Sequence, residues 1–270
     1  MRSKHVVLLV SVAGLAVIAG CRSNDTTSPS LGNTLDLSSL IGEMGMATLG
    51  ASSGVAGVGA VGGFAVPAMP PVVPSTCQYS ASIQGFTCAP FTSNGITVNA
   101  TLFLLDAAGH FQSQPDAATT AAIRNVTDVQ GTMKFDQSGT GGSVTLTSHQ
   151  DLTLSGLLTD THVLNGSSTS HSDLTVTGTS ALHGVTDTKT VTANVTVSKS
   201  SRWPTAGTVT SDATTSSQIG SVSVAGTTHS VLTFNGSSVV TMTTTITTGS
   251  TPFSSTCKID LSGAAVPVCN

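Results

Sequence analysis

Apolar residues alternate with threonine, serine or asparagine along most of the chain after residue 77. A period of two sends successive side chains to opposite faces of an extended backbone, so the pattern predicts half-buried antiparallel strands. Threonine and valine recur throughout the alternation, and both are β-branched residues that favour strands. The clearest runs are 96–106, 143–156, 189–199, 221–226, 231–236 and 239–247.

Turn signals between these runs predict a meander. They are Asn94-Gly95, the glycine-rich stretch 139–142, Asn165-Gly166 and Asn235-Gly236. The predicted fold class is all-β, a long antiparallel meander of roughly ten strands that forms a barrel, a sandwich or a strongly curved sheet. We expect at most one or two short helices, over 35–47 and 115–125.

The run 189–199 shows the strictest alternation. Its aliphatic residues occupy every second position, with threonine or asparagine between them. Side chains two positions apart on a strand share a face. The sequence therefore predicts one aliphatic face formed by Val191, Ala193, Val195 and Val197, and one polar face formed by Thr190, Thr192, Asn194 and Thr196.

The N-terminus has a different pattern. Arg2 and Lys4 precede an almost wholly apolar run from Val6 to Ile18, and two small residues then lead to Cys21. A positive start, a short apolar run and small residues at the cleavage point are typical of a secretory signal. The run is shorter than the ~20 apolar residues that a spanning helix needs. Residues 1–20 are therefore predicted to be a signal peptide.

The sequence Ile18-Ala19-Gly20-Cys21 resembles the lipobox of bacterial lipoprotein signal peptides. The resemblance covers only the start of the chain, and we recognise no family for the β domain. It implies that Cys21 is acylated and becomes the first residue of the mature protein. Several acyl chains give stable membrane attachment, whereas one chain binds only marginally. Because Arg22 and not aspartate follows the cysteine, the resemblance implies sorting to the bacterial outer membrane.

Two segments of distinct composition precede the alternating region. Residues 21–34 comprise the cysteine that is expected to be acylated and a run of small, polar residues, and this run predicts a tether. Residues 35–75 begin with the short candidate helix and continue as a Gly/Ala/Pro-rich stretch. Glycine and proline suit neither a stable helix nor a strand interior, so this stretch is predicted to be a linker. Residues 76–270 then form the Thr/Ser-rich β domain.

Charge limits the possible partners. Charged residues make up only 8% of the chain. Loss of Arg2 and Lys4 with the signal leaves seven basic residues against thirteen acidic ones, a formal charge of −6. Nucleic-acid binding needs clustered lysine and arginine, so no nucleic-acid partner is expected. The expected partners are the membrane, through the N-terminal lipid, and either an apolar ligand or another envelope protein.

The remaining cysteines indicate disulfides. An exported domain lies in an oxidising compartment where disulfides persist. Four cysteines allow three connectivities. A loop at 262–264 would place Cys257 directly opposite Cys269, which favours that pair. The pair Cys77 with Cys88 follows by elimination, although a turn at Gln84-Gly85 would not place these two residues opposite each other. No pair has the C-x₂-C spacing of zinc sites, so metal is not expected at these residues. The predicted disulfide cysteines are Cys77, Cys88, Cys257 and Cys269.

An internal echo suggests a metal site. The sequences SHQDLTLSG at 148–156 and SHSDLTVTG at 170–178 each place His and Asp two positions apart, on one face of a strand. If 157–160 and 166–168 are turns, a middle strand between them carries a further histidine. The alternative is a solvated polar face, because strands two apart are separated by about 9–10 Å. The candidate divalent-metal ligands are His149, Asp151, His162, His171 and Asp173.

The sequence has no recognisable catalytic motif. It contains neither a G-x-S-x-G nucleophile elbow nor a phosphate-binding glycine motif followed by Lys-Ser or Lys-Thr. We therefore predict that the protein is not an enzyme and has no cofactor beyond the lipid on Cys21. The preferred interpretation is an exported, lipid-anchored envelope protein whose β domain has a structural or binding role. The alternatives are a carrier of a lipid or other apolar ligand in a curved-sheet cavity, and a metal-binding or hydrolytic envelope enzyme.

Overall fold

A computed structural model describes residues 73–270 except 138–139, 179–180, 202, 262–267 and 270. Fourteen strands form within this part of the chain, and all of them belong to one antiparallel sheet. They are β1 (Cys77–Ser80), β2 (Gly85–Cys88), β3 (Phe91–Ser93), β4 (Ile96–Leu105), β5 (Phe111–Gln112), β6 (Ala122–Gln137), β7 (Thr140–Ser155), β8 (Thr161–Thr177), β9 (Leu182–Ser198), β10 (Ala206–Ile219), β11 (Val222–Thr233), β12 (Val239–Thr248), β13 (Thr251–Asp260) and β14 (Val268–Cys269).

The strand order confirms the predicted meander. It runs β1-β2-β4-β6-β7-β8-β9-β10-β11-β12-β13-β14, with β3 and β5 paired to β4. The all-β fold class is therefore correct, and of the three predicted forms the described residues adopt the curved sheet, which is not closed. The signal peptide, the tether, the linker up to residue 72 and the candidate helix 35–47 lie outside the described residues.

The predicted helix over 115–125 is wrong. Residues 115–121 form a turn in which the Asp116 carbonyl accepts hydrogen bonds from the backbone of Thr119 and Thr120. The Asp116 carboxylate also accepts one from the Ala118 amide at 2.7 Å. The strand β6 then begins at Ala122, where Ile123 and Asn125 are buried on one face. Pairing with β4 and β7 outweighs the weak helical preference of this run. No helix able to span a membrane occurs among the described residues.

The sheet has a buried face and an exposed face. Apolar side chains of the buried face cluster at one end of the long strands, which we call the base. The main cluster comprises Leu152, Leu164, Val195, Val209, Leu232, Phe234, Val240 and Ile259. A second cluster at the first strands comprises Phe86, Cys88, Ala100, Leu102, Leu104 and Ile123. The β6–β7, β8–β9, β10–β11 and β12–β13 hairpins turn at the opposite end, which we call the tips.

Hydroxyl groups line the buried face between the base and the tips. One row of directly paired residues crosses eight strands without an apolar member: Thr127, Gln150, Ser168, Thr190, Ser211, Ser230, Thr244 and Ser255. Ser148, Ser170 and Thr188 in the next row are also buried. Serine and threonine are small, so the centre of the buried face lacks the large side chains that fill its base.

A β-bulge in β9 corrects the predicted faces of the run 189–199. Leu164 pairs with Val195 but Gly166 pairs with Thr192, so β9 has one residue more than β8 between these two pairs. Asn194 takes a left-handed φ of 52° there, and its amide donates to Asn165 Oδ1 at 2.7 Å. An extra residue reverses the facing of the strand beyond it. Val195 is accordingly 1% exposed whereas Val191 is 39% exposed.

Both predicted disulfides form. Cys77 bonds to Cys88 and Cys257 bonds to Cys269, and in each pair the two residues are direct partners on neighbouring strands. The loop proposed at 262–264 lies outside the described residues. The turn expected at Gln84-Gly85 is wrong, because Ser80 pairs with Gly85 and the turn comprises the four residues between them. This shift places Cys77 opposite Cys88.

Candidate functional site

A groove of about 790 Å³ crosses the exposed face of β6–β11. Two rows of side chains form its walls, and the backbone of the row between them forms its floor. One wall comprises Asp128, His149, Thr169, Lys189, Asp212 and His229. The other wall comprises Gln130, Thr147, His171, Asp187, Thr214 and Thr227. Six neighbouring strands make the groove about 24 Å long.

Three histidine–aspartate pairs contain all three carboxylates of the groove. His149 Nδ1 lies 2.8 Å from Asp128 Oδ1, His171 Nδ1 lies 2.7 Å from Asp187 Oδ1, and His229 Nδ1 lies 2.6 Å from Asp212 Oδ1. In every pair the two residues are direct partners on adjacent strands, so the sheet register sets the contact. A neutral imidazole that donates from Nδ1 keeps Nε2 as an acceptor, and that atom is left for a ligand.

The same pairing occurs outside the groove. His183 Nε2 lies 3.0 Å from Asp173 Oδ1, and His110 Nδ1 lies 3.1 Å from Asp106 Oδ2. Five of the six histidines that the structure describes therefore contact an aspartate. Exposed ion pairs contribute little to stability, about 0–1 kcal/mol. A surface role is a better explanation of the pairs than support of the fold.

The structure does not bring together the five candidate metal ligands. His149 and His171 lie on adjacent strands, because Asn165-Gly166 sits at the bulge and leaves β8 continuous. Asp173 contacts His183, and Asp151 contacts Arg124. His162 points to the opposite, buried face. In the described part of the chain, no group of three or more His, Cys, Asp or Glu residues is placed to hold a metal.

Arg124 and Asp151 form a bidentate ion pair. The distances are 2.8 Å from Nε to Oδ1 and 2.6 Å from Nη2 to Oδ2. Hydrogen bonds from Arg124 lower the pKa of Asp151 and raise the pKa of the guanidinium itself. The guanidinium also lies 5.5 Å from the centre of the Phe103 ring. These contacts occupy Asp151 and explain why it is not available to the groove.

His162 is buried at the base of the sheet. It is 3% exposed, and neither ring nitrogen has a described partner in hydrogen-bonding geometry. Burial lowers the pKa of His162, and the charge of Lys199 lowers it further, while the Gly156 backbone opposes the shift only in part. Burial therefore favours the neutral imidazole, and the weak interaction with the Gly156 backbone compensates only part of the cost of burying its two nitrogens.

The replacement His162→Leu removes two buried nitrogens that lack partners in hydrogen-bonding geometry. It is therefore expected to raise the free energy of unfolding by about 1–3 kcal/mol at pH 7.5. The gain should increase towards pH 5. The unfolded imidazole protonates near its reference pKa of about 6.5, whereas burial shifts protonation of the folded one to lower pH, so the parent protein loses stability as the pH falls. Urea unfolding at both pH values measures this. His183→Leu, at an exposed position, is the control, and an equal gain at both pH values would contradict the prediction.

No family model, curated protein or solved structure matches this chain. The interpretation of the groove therefore depends on its own residues.

Sequence analysis found two of the six paired residues of the groove, His149 and His171. Asp128 looked isolated in the sequence but contacts His149. Asp187, Asp212 and His229 were missed as well. The sequence signal that could have revealed them is their symmetric placement about a hairpin turn, because residues equally far from the centre of a hairpin become direct partners. Asp212 and His229, for instance, are equally far from the turn at Gly220-Ser221.

Proposed function

We propose that this protein is an exported, lipid-anchored protein of the bacterial cell envelope, and that its β domain acts by binding rather than by catalysis. The observation that carries the anchor is the use of the cysteines. Two disulfides take four of the five cysteines, which leaves Cys21 alone for acylation. Disulfides between direct strand partners also suit a protein that resides in an oxidising compartment.

The groove on the exposed face supports the binding role. Its walls combine carboxylates, imidazoles, hydroxyls, an amide and the Lys189 ammonium group. With neutral imidazoles, three carboxylates against one ammonium give the walls a formal charge of −2. Such a surface suits an extended, uncharged ligand rich in hydroxyl groups, such as a polysaccharide strand. Hydrogen bonds along both walls would provide the affinity, and the paired imidazoles are already oriented.

The buried face favours this proposal over carriage of an apolar ligand. A lipid carrier needs a cavity lined predominantly by apolar side chains. One whole row across the centre of the buried face carries only serine, threonine and glutamine, and the apolar residues at the base are packed against one another. The groove on the exposed face is polar as well.

Acylation is tested at Cys21. Protein purified from bacterial membranes is expected to begin at Cys21 and to carry a diacylglyceryl group, seen as an added mass on the N-terminal peptide. The variant Cys21→Ser should keep its signal peptide and carry no diacylglyceryl mass, because it lacks the thiol that accepts the lipid. Cys257→Ala is the control, since it removes a cysteine without removing the anchor. An unmodified N-terminus in the native protein would overturn the proposal.

Ligand binding is tested at the central pair of the groove. The double variant His171→Ala/Asp187→Ala should lose at least about tenfold in affinity for a neutral polysaccharide such as dextran, because it removes oriented groups from the groove. Affinity electrophoresis in gels that contain the polysaccharide measures this. His183→Ala/Asp173→Ala is the matched control, because it removes a cross-strand pair outside the groove. Equal retardation of both variants, or no retardation of the parent protein, would contradict the prediction.

A further inference from the structure

Apolar residues of the buried face become exposed near the hairpin tips. The most exposed of those at the tips of the longer hairpins is Val222 at 61%. Met133, Ile219 and Val224 are exposed by 36% to 40%. At the base, apolar residues of the same face are almost fully buried, as Leu232 at 3% and Ile259 at 0% show. Packing in the apolar core therefore does not explain why apolar residues occur at the tips.

The exposed residues form one continuous surface across the hairpins. Ile219 is the direct partner of both Val222 and Leu182, which belong to neighbouring strands. Leu182 in turn pairs with Val176. We call this the apolar tip surface, formed by Met133, Val176, Leu182, Ile219, Val222 and Val224.

We propose that the apolar tip surface lies in the interfacial layer of a lipid bilayer. The proposal rests on the proposed function, because the lipid on Cys21 would keep a bilayer within reach. Residues 22–72 between the anchor and the described sheet have a contour length of about 170 Å. The long strands measure only about 50 Å, so the tether allows the tips to face the membrane.

The dimensions and polarity of the tips suit an interfacial depth. Val224 and Val222 belong to rows two residues apart, which makes the apolar surface about 7 Å deep. Amphipathic segments bury their apolar face to about 5–10 Å at the interface. The turn at Gly220-Ser221 is small and uncharged, so it can enter the headgroup layer. The opposite face of the tips is polar and remains in water.

Vesicle sedimentation of the mature chain carrying Cys21→Ser, which has no lipid of its own, tests this surface. The chain is expected to sediment with phosphatidylcholine vesicles. The further substitutions Val222→Asp and Val224→Asp should lower the partition coefficient at least about tenfold, because charges oppose interfacial burial. The binding should change less than about twofold at 0.5 M NaCl, because the contact is apolar.

Leu158→Asp with Val268→Asp is the matched control. These residues are also exposed, by 43% and 71%, but they lie at the base end of the sheet. The control should bind vesicles as the parent chain does. The proposal is overturned if the parent chain does not sediment with vesicles or if both double variants bind equally. A dimer that the tip substitutions dissociate, with no vesicle binding, would also overturn it and assign the surface to a second copy. Because this assay omits the acyl group, its failure leaves the mass measurement at Cys21 unaffected.

Discussion

Reduction of both disulfides is expected to lower the free energy of unfolding by about 6 kcal/mol, which is comparable with the whole stability of many domains. The linked cysteines are 11 and 12 residues apart in the sequence. Closing a loop of this length removes enough unfolded-state entropy to contribute about 3 kcal/mol for each bond. Urea unfolding with and without reductant measures the difference.

The positions of the disulfides predict how the reduced protein fails. Each bond ties an outermost strand to its neighbour, β1 to β2 at one edge and β14 to β13 at the other. These strands are only four and two residues long, so they have few other contacts. Their loss would expose strand edges, which pair with other chains. We therefore expect the reduced protein to precipitate, as measured by light scattering.

Removal of one disulfide at a time provides the control for reduction. The variants Cys77→Ala/Cys88→Ala and Cys257→Ala/Cys269→Ala should each lose about half of the effect, about 3 kcal/mol. The losses should add, because the two bonds lie at opposite edges of the sheet. A reduced protein that stays soluble with an unchanged unfolding midpoint would contradict the role assigned to both bonds.

The fold could be predicted from the sequence where one strand face is apolar. The alternation over 96–106 and 239–247 corresponds closely to β4 and β12. The runs 221–226 and 231–236, which looked like two strands, join into β11 because the residues between them continue the pairing with β10. Local patterns fail at Asn194, where one extra residue reverses the faces of β9. A bulge depends on partners in two other strands, so a single strand's periodicity does not reveal it.

The site was less predictable than the fold because the pairing register of neighbouring strands, and not a local sequence motif, brings its residues together. His149 and Asp128 are 21 residues apart, and neither has a local pattern that points to the other. The metal hypothesis for His149, His162 and His171 assumed a turn at Asn165-Gly166. Asn165 and Gly166 instead lie within β8, opposite the bulge of β9. Glycine at a strand interior often marks a close backbone approach. Hairpin symmetry, and not the His-x-Asp echo, assembles the groove.

Substitution Gly166→Ala is expected to lower the free energy of unfolding by about 3–5 kcal/mol, as a sum of backbone strain and overpacking. Gly166 has a φ of 147°, which L-residues rarely adopt. A Cβ there would lie 2.1 Å from the Asp151 carbonyl oxygen and 2.8 Å from Leu152 Cα. Both are backbone atoms of β7, so relief requires β7 and β8 to separate beside the main apolar cluster.

The substitution Gly220→Ala distinguishes the cost of a left-handed backbone conformation from the cost of a steric clash. Gly220 also has a positive φ, 58°, but a Cβ added there meets nothing within 4 Å. Its substitution should cost only about 1 kcal/mol, the usual penalty for a left-handed alanine. Urea unfolding of both variants measures the difference, which is the energy of the close approach itself. Equal losses in the two variants would show that β8 can move away from β7 freely.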